Sequence, residues 1–188
     1  MQQYISTFLD ETIRIAQTID QTSIAAALVQ LKAVKARGGR LFILGVGGSA
    51  ANASHAVNDF RKICGIETYA PTDNVSELTA RINDESWDAS YAEWLKGSRL
   101  GRNDLLLVLS VGGGSATTSL NLVRSMELAR TLGCPIISIV SRDGGKAKEL
   151  STACVLIPVV SKDRITPHAE GWQGVVWHLL ATALAKGL

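Results

Sequence analysis

A glycine-rich loop after a short apolar run contains the residues best suited to bind an anion. The run Leu41–Leu44 predicts a buried strand, and the Ala-rich segment beyond the loop predicts a helix. Gly45, Gly47 and Gly48 let the backbone approach a ligand, while the helix offers unpaired N–H groups and its positive dipole end. Ser49 could either cap this helix or bind a phosphate. The segment lacks the Walker A ending and the dinucleotide spacing, so a plain tight turn is the alternative.

A second glycine loop follows the clearest strand pattern of the chain. Leu105–Leu109 is apolar without alternation, which is typical of a sheet covered on both faces. The segment after it contains Gly112, Gly113 and Ser115 and opens a predicted helix that reaches about residue 132. Together with Ser110, this loop offers a second set of anion-binding groups. The two serines could instead act as helix caps.

Two histidines and an aspartate have the chemistry for proton transfer. His55 and Asp59 are four residues apart on the predicted helix, so they share one face. The alternative is a local pair on a solvated surface. His178 lies within the apolar run Val175–Leu180, where a lone histidine is more often a core residue.

These side chains need a scaffold, and the chain alternates between strand and helix patterns. Residues 2–37 show helical spacing with a break at 20–23, which predicts an N-terminal helical hairpin. Further strands are predicted near 67–70, 135–140 and 154–159, and helices near 49–62, 76–82, 91–95, 116–132 and 167–186. Asn83 and Asp84 should interrupt the helix that begins at residue 76. The alternation predicts one α/β domain, residues 1–188, with a doubly wound parallel sheet that binds ligands at the carboxyl ends of its strands.

Composition excludes several classes of protein. The 188 residues include 46% hydrophobic and 19% charged side chains, as expected for a globular domain. The 19 basic residues are nearly offset by 17 acidic ones, so nucleic acid binding is not expected. The three cysteines have no ligand-like spacing and are predicted to be buried thiols. Because no long apolar run or leader pattern is present, we expect a cytoplasmic protein that does not interact with membranes.

The motifs together resemble one family almost end to end. The chain resembles the SIS (sugar isomerase) domain, which is a flavodoxin-like fold, and within it the phosphoheptose isomerases. The matching segments, in the order of the family, are 45–55, 72–74 with 83–84, 110–115, 143–146, 166–170 and 176–178. The resemblance implies an aldose–ketose isomerase that acts on sedoheptulose 7-phosphate for surface-polysaccharide heptose biosynthesis. It implies no nucleotide cofactor.

The resemblance also implies which residues bind the sugar phosphate. It assigns phosphate binding to the serines of both loops, which are Ser49, Ser110 and Ser115. Val111 and Gly112 replace two hydroxyl-bearing residues that the family usually has in the second loop. Backbone N–H groups in a glycine nest can still bind an anion. The remaining positions implied as substrate-binding are Gly47, Gly48, Asp73, Gly112, Gly113 and Glu170.

Catalytic and metal-binding roles follow from the same resemblance. Asp59 stands where the family has a glutamate base, and His178 matches the acid on the closing helix. Isomerisation through an enediolate needs such a base at carbon and a group that protonates or stabilises oxygen. Some members bind zinc with four corresponding residues, which here are His55, Asp59, Glu170 and His178, where Glu170 replaces a glutamine.

The family forms tetramers with sites between subunits, and the apolar stripes of the N-terminal hairpin favour such a partner surface. A homotetramer is therefore expected, in which Asp59 and His178 could come from different chains. The alternative to an enzyme is a non-catalytic SIS module that binds sugar phosphates or associates with the replication initiator. Retention of Asp59 and His178 favours the enzyme.

Overall fold

Five parallel strands form the centre of the computed structural model, which describes residues 1–188. They are β1 (Leu41–Leu44), β2 (Thr68–Tyr69), β3 (Leu105–Leu109), β4 (Ile136–Val140) and β5 (Ala153–Leu156). Their order in the sheet is β2-β1-β3-β4-β5, with every neighbouring pair parallel. This is the flavodoxin-like order, and it confirms the predicted doubly wound fold.

Eight α-helices flank the sheet. They are α1 (Gln2–Thr18), α2 (Gln21–Ala36), α3 (Gly48–Lys62), α4 (Val75–Asp84), α5 (Trp87–Gly97), α6 (Leu120–Thr131), α7 (Gly145–Leu150) and α8 (Ile165–Ala185). The break between α1 and α2 lies where the sequence predicts it, because Asp20 caps α2 by accepting the N–H groups of Thr22 and Ser23.

Three sequence predictions differ from these bounds. Asn83 and Asp84 do not interrupt a helix but form the last turn of α4. The second glycine loop extends to Ser119 before α6 begins, because its first part is fixed by turn hydrogen bonds. Helix α7 begins at the second residue of the Gly144-Gly145 pair and is too short to show a helical period, so the sequence analysis misses it.

The sheet is buried on both faces, as the unbroken apolar runs predict. Odd-numbered residues of β3 pack against α2, α3 and α8, and its even-numbered residues pack against α5 and α6. All five residues of β3 and of β4 are buried. Each fully buried leucine or isoleucine contributes about 1.5–3 kcal/mol, so this layering fixes the strands and the loops at their ends.

A buried ionic cluster joins α1 to the start of α8. Arg164 donates two hydrogen bonds to the carboxylate of Glu11, at 2.8 and 2.6 Å, and His168 Nε2 lies 2.8 Å from the same group. Glu11 and His168 are 3% and 5% exposed, and Phe8 stacks on the His168 ring. Hydrogen bonds from Arg164 and then His168 lower the pKa of Glu11 from 4.5 to about 2.

Most of the apolar surface of α1 is left uncovered within the chain. Ile15 is its one buried apolar residue, whereas Tyr4, Ile5, Leu9 and Ile13 are exposed. Three of these, Ile5, Leu9 and Ile13, recur every four residues and therefore form one stripe. No helix in the structure combines the length and apolar character that a membrane span requires.

The Glu11 cluster predicts a specific dependence of stability on pH. Because the folded-state pKa of Glu11 is depressed, its contribution is present above about pH 4.5 and is lost as the pH falls toward 2. We expect the free energy of unfolding of Glu11→Gln to be lower than that of wild type at pH 7 and to change less between pH 4.5 and 2. Urea denaturation at several pH values in this range gives the free energy of unfolding of both proteins and so the slope of each against pH.

Glu93→Gln is the matched control, since Glu93 forms an ion pair with Lys96 at a partly exposed position. It should retain the wild-type slope. Parallel curves for wild type and Glu11→Gln would contradict the assigned role of the cluster.

Candidate functional site

A polar cavity of about 730 Å³ opens at the carboxyl ends of β1, β3 and β4. Such a position, beside the point where the strand order reverses, is where doubly wound sheets bind ligands. Its lining consists of Val46, Ser49, Ser110, Val111, Gly112, Gly114, Ser115, Thr118, Ser119, Arg142, Asp143 and Gly145. The lining combines backbone, hydroxyl and charged groups with only two apolar side chains, so the cavity is suited to a polar ligand.

The first loop presents Ser49 to this cavity. Gly47, with φ of 62°, is the N-cap of α3 and no side chain caps the helix, so Ser49 is not the cap. The Ser49 hydroxyl has no hydrogen-bond partner within the chain. Gly45 is fixed because the buried Tyr91 hydroxyl donates to its carbonyl at 2.9 Å. Burial raises the pKa of Tyr91 to about 12, which keeps this hydroxyl protonated.

The second loop is shaped by its own serines. Ser110 Oγ accepts the N–H of Gly113 at 3.1 Å, and Ser115 Oγ accepts the N–H groups of Thr117 and Thr118. Both serines therefore form turns rather than helix caps, while their hydroxyls line the cavity.

The third loop, residues 141–144 between β4 and α7, and the N-terminus of α7 hold the second loop in place. Lys146 N–H donates to Gly114 O at 3.0 Å and Ala147 N–H to Gly113 O at 2.9 Å. A Cβ on Gly113 would collide with the carbonyl of Gly144, and one on Gly145 would collide with the carbonyls of Gly112 and Gly114. Glycine is thus required where the two loops touch.

Four polar or charged side chains of the lining receive no role in the sequence analysis. They are Thr118, Ser119, Arg142 and Asp143. Ser119 and Arg142 have left-handed backbones, with φ of 54° each, which a pattern of residue types does not reveal. The Asp-Gly-Gly motif at 143–145 was a signal for this loop, because it marks a turn beside the strand ends.

Five predicted substrate-binding residues do not line the cavity. Gly47 and Gly48 form the start of α3 beneath it, and Gly113 is buried in the contact with Gly144. The Asp73 carboxylate accepts a hydrogen bond from Ser54 and lies in a separate groove. The Glu170 carboxylate lies against Gly48, where a Cβ would meet it.

His55, Asp59 and His178 form a second group further along α3. One potential ligand atom from each lies within 4.8 Å of the others. His178 Nε2 is 3.8 Å from Asp59 Oδ2, while His178 Nδ1 is 2.7 Å from the Gly174 carbonyl. If Nδ1 carries the proton and donates it to this carbonyl, Nε2 is left free to act toward Asp59, a ligand or a metal.

Neighbouring groups orient the two histidines. Trp177 is fully buried, stacks on His178 at 3.5 Å between ring centroids, and meets His55 edge-on at 4.8 Å. The side chains of His178 and Asp59 are 48% and 14% exposed, so the pair is open to a ligand. His178 is therefore not a core residue, which was the alternative that its apolar neighbours suggested. The core position next to it is occupied by Trp177.

Asp59 and His178 of one chain approach each other, so no partner subunit is needed to bring this pair together. The physical reason is that α3 and α8 pack side by side, crosslinked by Asn52 Nδ2, which donates to Glu170 O and to Gln173 Oε1. Glu170 is outside the His-Asp-His group. The group lies about 9–15 Å along α3 from Ser49, since His55 and Asp59 are six and ten residues further on.

Comparisons with known proteins identify the family of this chain. Residues 3–141 match the SIS domain. A phosphoheptose isomerase from Aliarcobacter butzleri is 30% identical over 161 residues, covering 82% of each chain, and one from Rhodospirillum rubrum is 30% identical over 191 residues, covering 98% of this chain and 95% of the relative. This chain belongs to the phosphoheptose isomerase family of SIS-domain proteins. The resemblance predicted from its motifs is confirmed.

Solved structures support the fold of this SIS-domain protein. The phosphoheptose isomerases from Neisseria gonorrhoeae and Francisella tularensis both superpose with a TM-score of 0.83 at 22% identity. They cover 97% and 98% of this chain. At this identity the likeness extends to the architecture, including the N-terminal helices.

Two glycines of the first loop of this SIS domain should respond differently to alanine. In Gly45→Ala the Cβ meets the backbone of Ser49, which cannot move without shifting α3, whereas in Gly48→Ala it meets only the flexible end of Glu170. We expect Gly45→Ala to lower the free energy of unfolding by about 1–3 kcal/mol or more. Gly48→Ala should change it by less than about 1 kcal/mol.

Urea denaturation of the two variants beside wild type provides the measurement. Gly171→Ala is the control, because nothing lies within 4 Å of its added Cβ in α8. Equal losses in Gly45→Ala and Gly48→Ala would contradict the packing described for this loop.

Proposed function

We propose that this protein is an aldose–ketose isomerase that converts sedoheptulose 7-phosphate to D-glycero-D-manno-heptose 7-phosphate for surface-polysaccharide heptose biosynthesis. The observation that carries the proposal is the approach of Asp59 to His178 beside a polar cavity at the strand ends, in a member of the phosphoheptose isomerase family. A phosphorylated sugar is accordingly the proposed substrate, and the cytoplasm is its proposed location.

The geometry suits proton transfer between adjacent carbons of the sugar. Asp59 is the proposed base, which removes a proton from the carbon beside the carbonyl. His178 is the proposed acid: in its doubly protonated form Nδ1–H donates to the Gly174 carbonyl, and Nε2–H gives its proton to the oxygen as the enediolate forms. Because Nδ1 of His178 lies 2.7 Å from the Gly174 carbonyl, the ring is oriented with Nε2 toward Asp59.

The cavity is the proposed site for the phosphate end of the sugar. The hydroxyls of Ser49, Thr118 and Ser119 have no partners in the chain. They can therefore donate to a ligand group that accepts several hydrogen bonds. The separation of about 9–15 Å between Ser49 and the His-Asp-His group favours a long ligand over a triose phosphate.

Zinc is the proposed cofactor of the His-Asp-His group. Two imidazoles and one carboxylate are the donor set of many catalytic zinc sites, and their spacing of at most 4.8 Å fits one ion. A bound zinc ion would polarise the carbonyl and hydroxyl oxygens of the sugar. It would then stabilise the oxygen in place of the His178 proton, because a nitrogen that ligates zinc carries none. Glu170 stays a predicted fourth ligand. Its carboxylate lies at Gly48 and would have to rotate to join the group.

A homotetramer is the proposed assembly. The exposed stripe of α1 supports it, as do Val175 and Leu179, which are 49% and 45% exposed on either side of His178. Apolar side chains beside a catalytic histidine favour a partner subunit that covers them and closes the site.

Replacement of the proposed base provides the test of the reaction. Asp59→Asn should retain the fold and lower the turnover of sedoheptulose 7-phosphate by about 10²–10⁴-fold, the usual contribution of general acid–base catalysis. Formation of the aldose, followed by NMR, gives the rate. Asp88→Asn, in α5 on the opposite face of the sheet, should keep the wild-type rate.

Equal turnover by Asp59→Asn and wild type would contradict the assignment of the base.

If wild type forms no aldose although the sugar phosphate raises its melting temperature, the non-catalytic SIS module becomes the better description. The apolar Val111 in the cavity lining is the feature that favours that alternative.

Zinc binding is tested separately from activity. Wild type stripped with a chelator and then titrated should bind about one zinc ion per chain. His55→Ala should weaken binding by more than about 100-fold, because even the loss of an outer hydrogen-bond partner costs about 10–100-fold. Glu170→Ala, which removes the side-chain oxygens, distinguishes three protein ligands from four. A wild type that retains no zinc would contradict the site.

A further inference from the structure

Arg142 is the one cation that lines the cavity. Its side chain is exposed and forms no hydrogen bond or ion pair within the chain. The only acidic residue of the lining, Asp143, is already engaged, because its carboxylate accepts the N–H of Gly145 at 3.1 Å. The guanidinium of Arg142 is therefore available to a ligand.

The side chain of Arg142 extends from the third loop toward the second. A Cβ built on Gly112 would have a single neighbour within 4 Å, the Cδ of Arg142 at 3.8 Å. The aliphatic part of the arginine side chain therefore lies against the backbone of the second loop at Gly112, and its charge is carried on the side of the cavity that this loop lines.

The backbone of Arg142 is held in an unfavourable conformation. Its φ of 54° is in the left-handed region, which is costly for a residue with a Cβ. Hydrogen bonds on both sides fix it: Ser141 N–H donates to Val111 O, Ser141 Oγ to Ile157 O, and Gly144 N–H to Ser141 O. Two of the three non-glycine residues with positive φ, Ser119 and Arg142, line this cavity. Such clustering is typical of functional sites.

We propose that Arg142 binds the phosphate group of the substrate and makes the cavity selective for a dianionic ligand. The guanidinium donates to the phosphate oxygens from the third loop, while the backbone of the second loop and the hydroxyls of Thr118 and Ser119 donate from the other side. This inference rests on the proposed function, and it assigns to one side chain the charge that the serines and glycines do not supply.

The strained backbone gives a test that separates binding from structure. Arg142→Gly removes the guanidinium and relieves the left-handed conformation, so its melting temperature should equal or exceed that of wild type. The KM for sedoheptulose 7-phosphate should nevertheless rise about 10–100-fold, as expected for the loss of a charged hydrogen bond, with a smaller change in kcat. Arg142→Lys should give an intermediate KM, because it retains the charge without the planar fork.

Arg99→Gly is the matched control. Arg99 is also an exposed arginine with φ of 55°, but it precedes β3. It therefore lies at the amino ends of the strands, away from the cavity at their carboxyl ends. It should keep the wild-type KM. A KM for Arg142→Gly within twofold of wild type, or an equal rise in Arg99→Gly, would overturn the proposal.

Titration with inorganic phosphate keeps this test independent of the proposed reaction. Wild type should bind phosphate more tightly than Arg142→Gly by a similar factor, whether or not it isomerises the sugar. Absence of turnover in wild type, with phosphate binding that depends on Arg142, would count against the isomerase alone. Phosphate binding that is unchanged in Arg142→Gly would overturn the role of Arg142.

Discussion

The contact between two backbone segments, the second glycine loop and the N-terminus of α7, is the constraint on which the candidate site depends. The N–H groups of Lys146 and Ala147 donate to the carbonyls of Gly114 and Gly113, and the approach is so close that no side chain fits between the loops. The cavity keeps its shape because these bonds tie the end of β3 to the end of β4. They also fix the turn that carries Arg142. One backbone interface therefore defines both the floor of the cavity and its only cation.

Much of this architecture follows from local sequence. The strands are readable because Leu105–Leu109 and the other runs are apolar on both faces, and the cap at Asp20 needs only its own neighbours. Features that depend on distant groups were not readable. Ser49 could have been a cap or a ligand, and the structure excludes the cap because Gly47 takes that position. Arg142 was missed because its approach to the second loop and its lack of partners depend on tertiary contacts, and α7 was missed because six residues carry no period.

The candidate site has two separate parts on one helix. The N-terminus of α3 borders the polar cavity, whereas the next turns carry His55 and Asp59 toward His178 on α8. The pairing of His55 with Asp59 was predictable from spacing alone, but the approach of His178 required the packing of α3 against α8 through Asn52. This division is consistent with a ligand whose charged end and reacting end are far apart. It also explains why residues of a single sequence motif contribute to both parts.

The attachment of α1 differs in kind from that of the other helices. Its first two turns contain no fully buried residue, and its anchors are the ionic cluster at Glu11, the Phe8 ring on His168 and the apolar contact at Ile15. The helix is therefore held at one end, and the energy needed to detach its free end is much smaller than the energy needed to unfold the sheet. Amide protons near Tyr4 should then exchange with solvent through local fraying, independently of the core. A partner that covers the stripe of α1 would slow this exchange, so the order of the first turns reports on assembly.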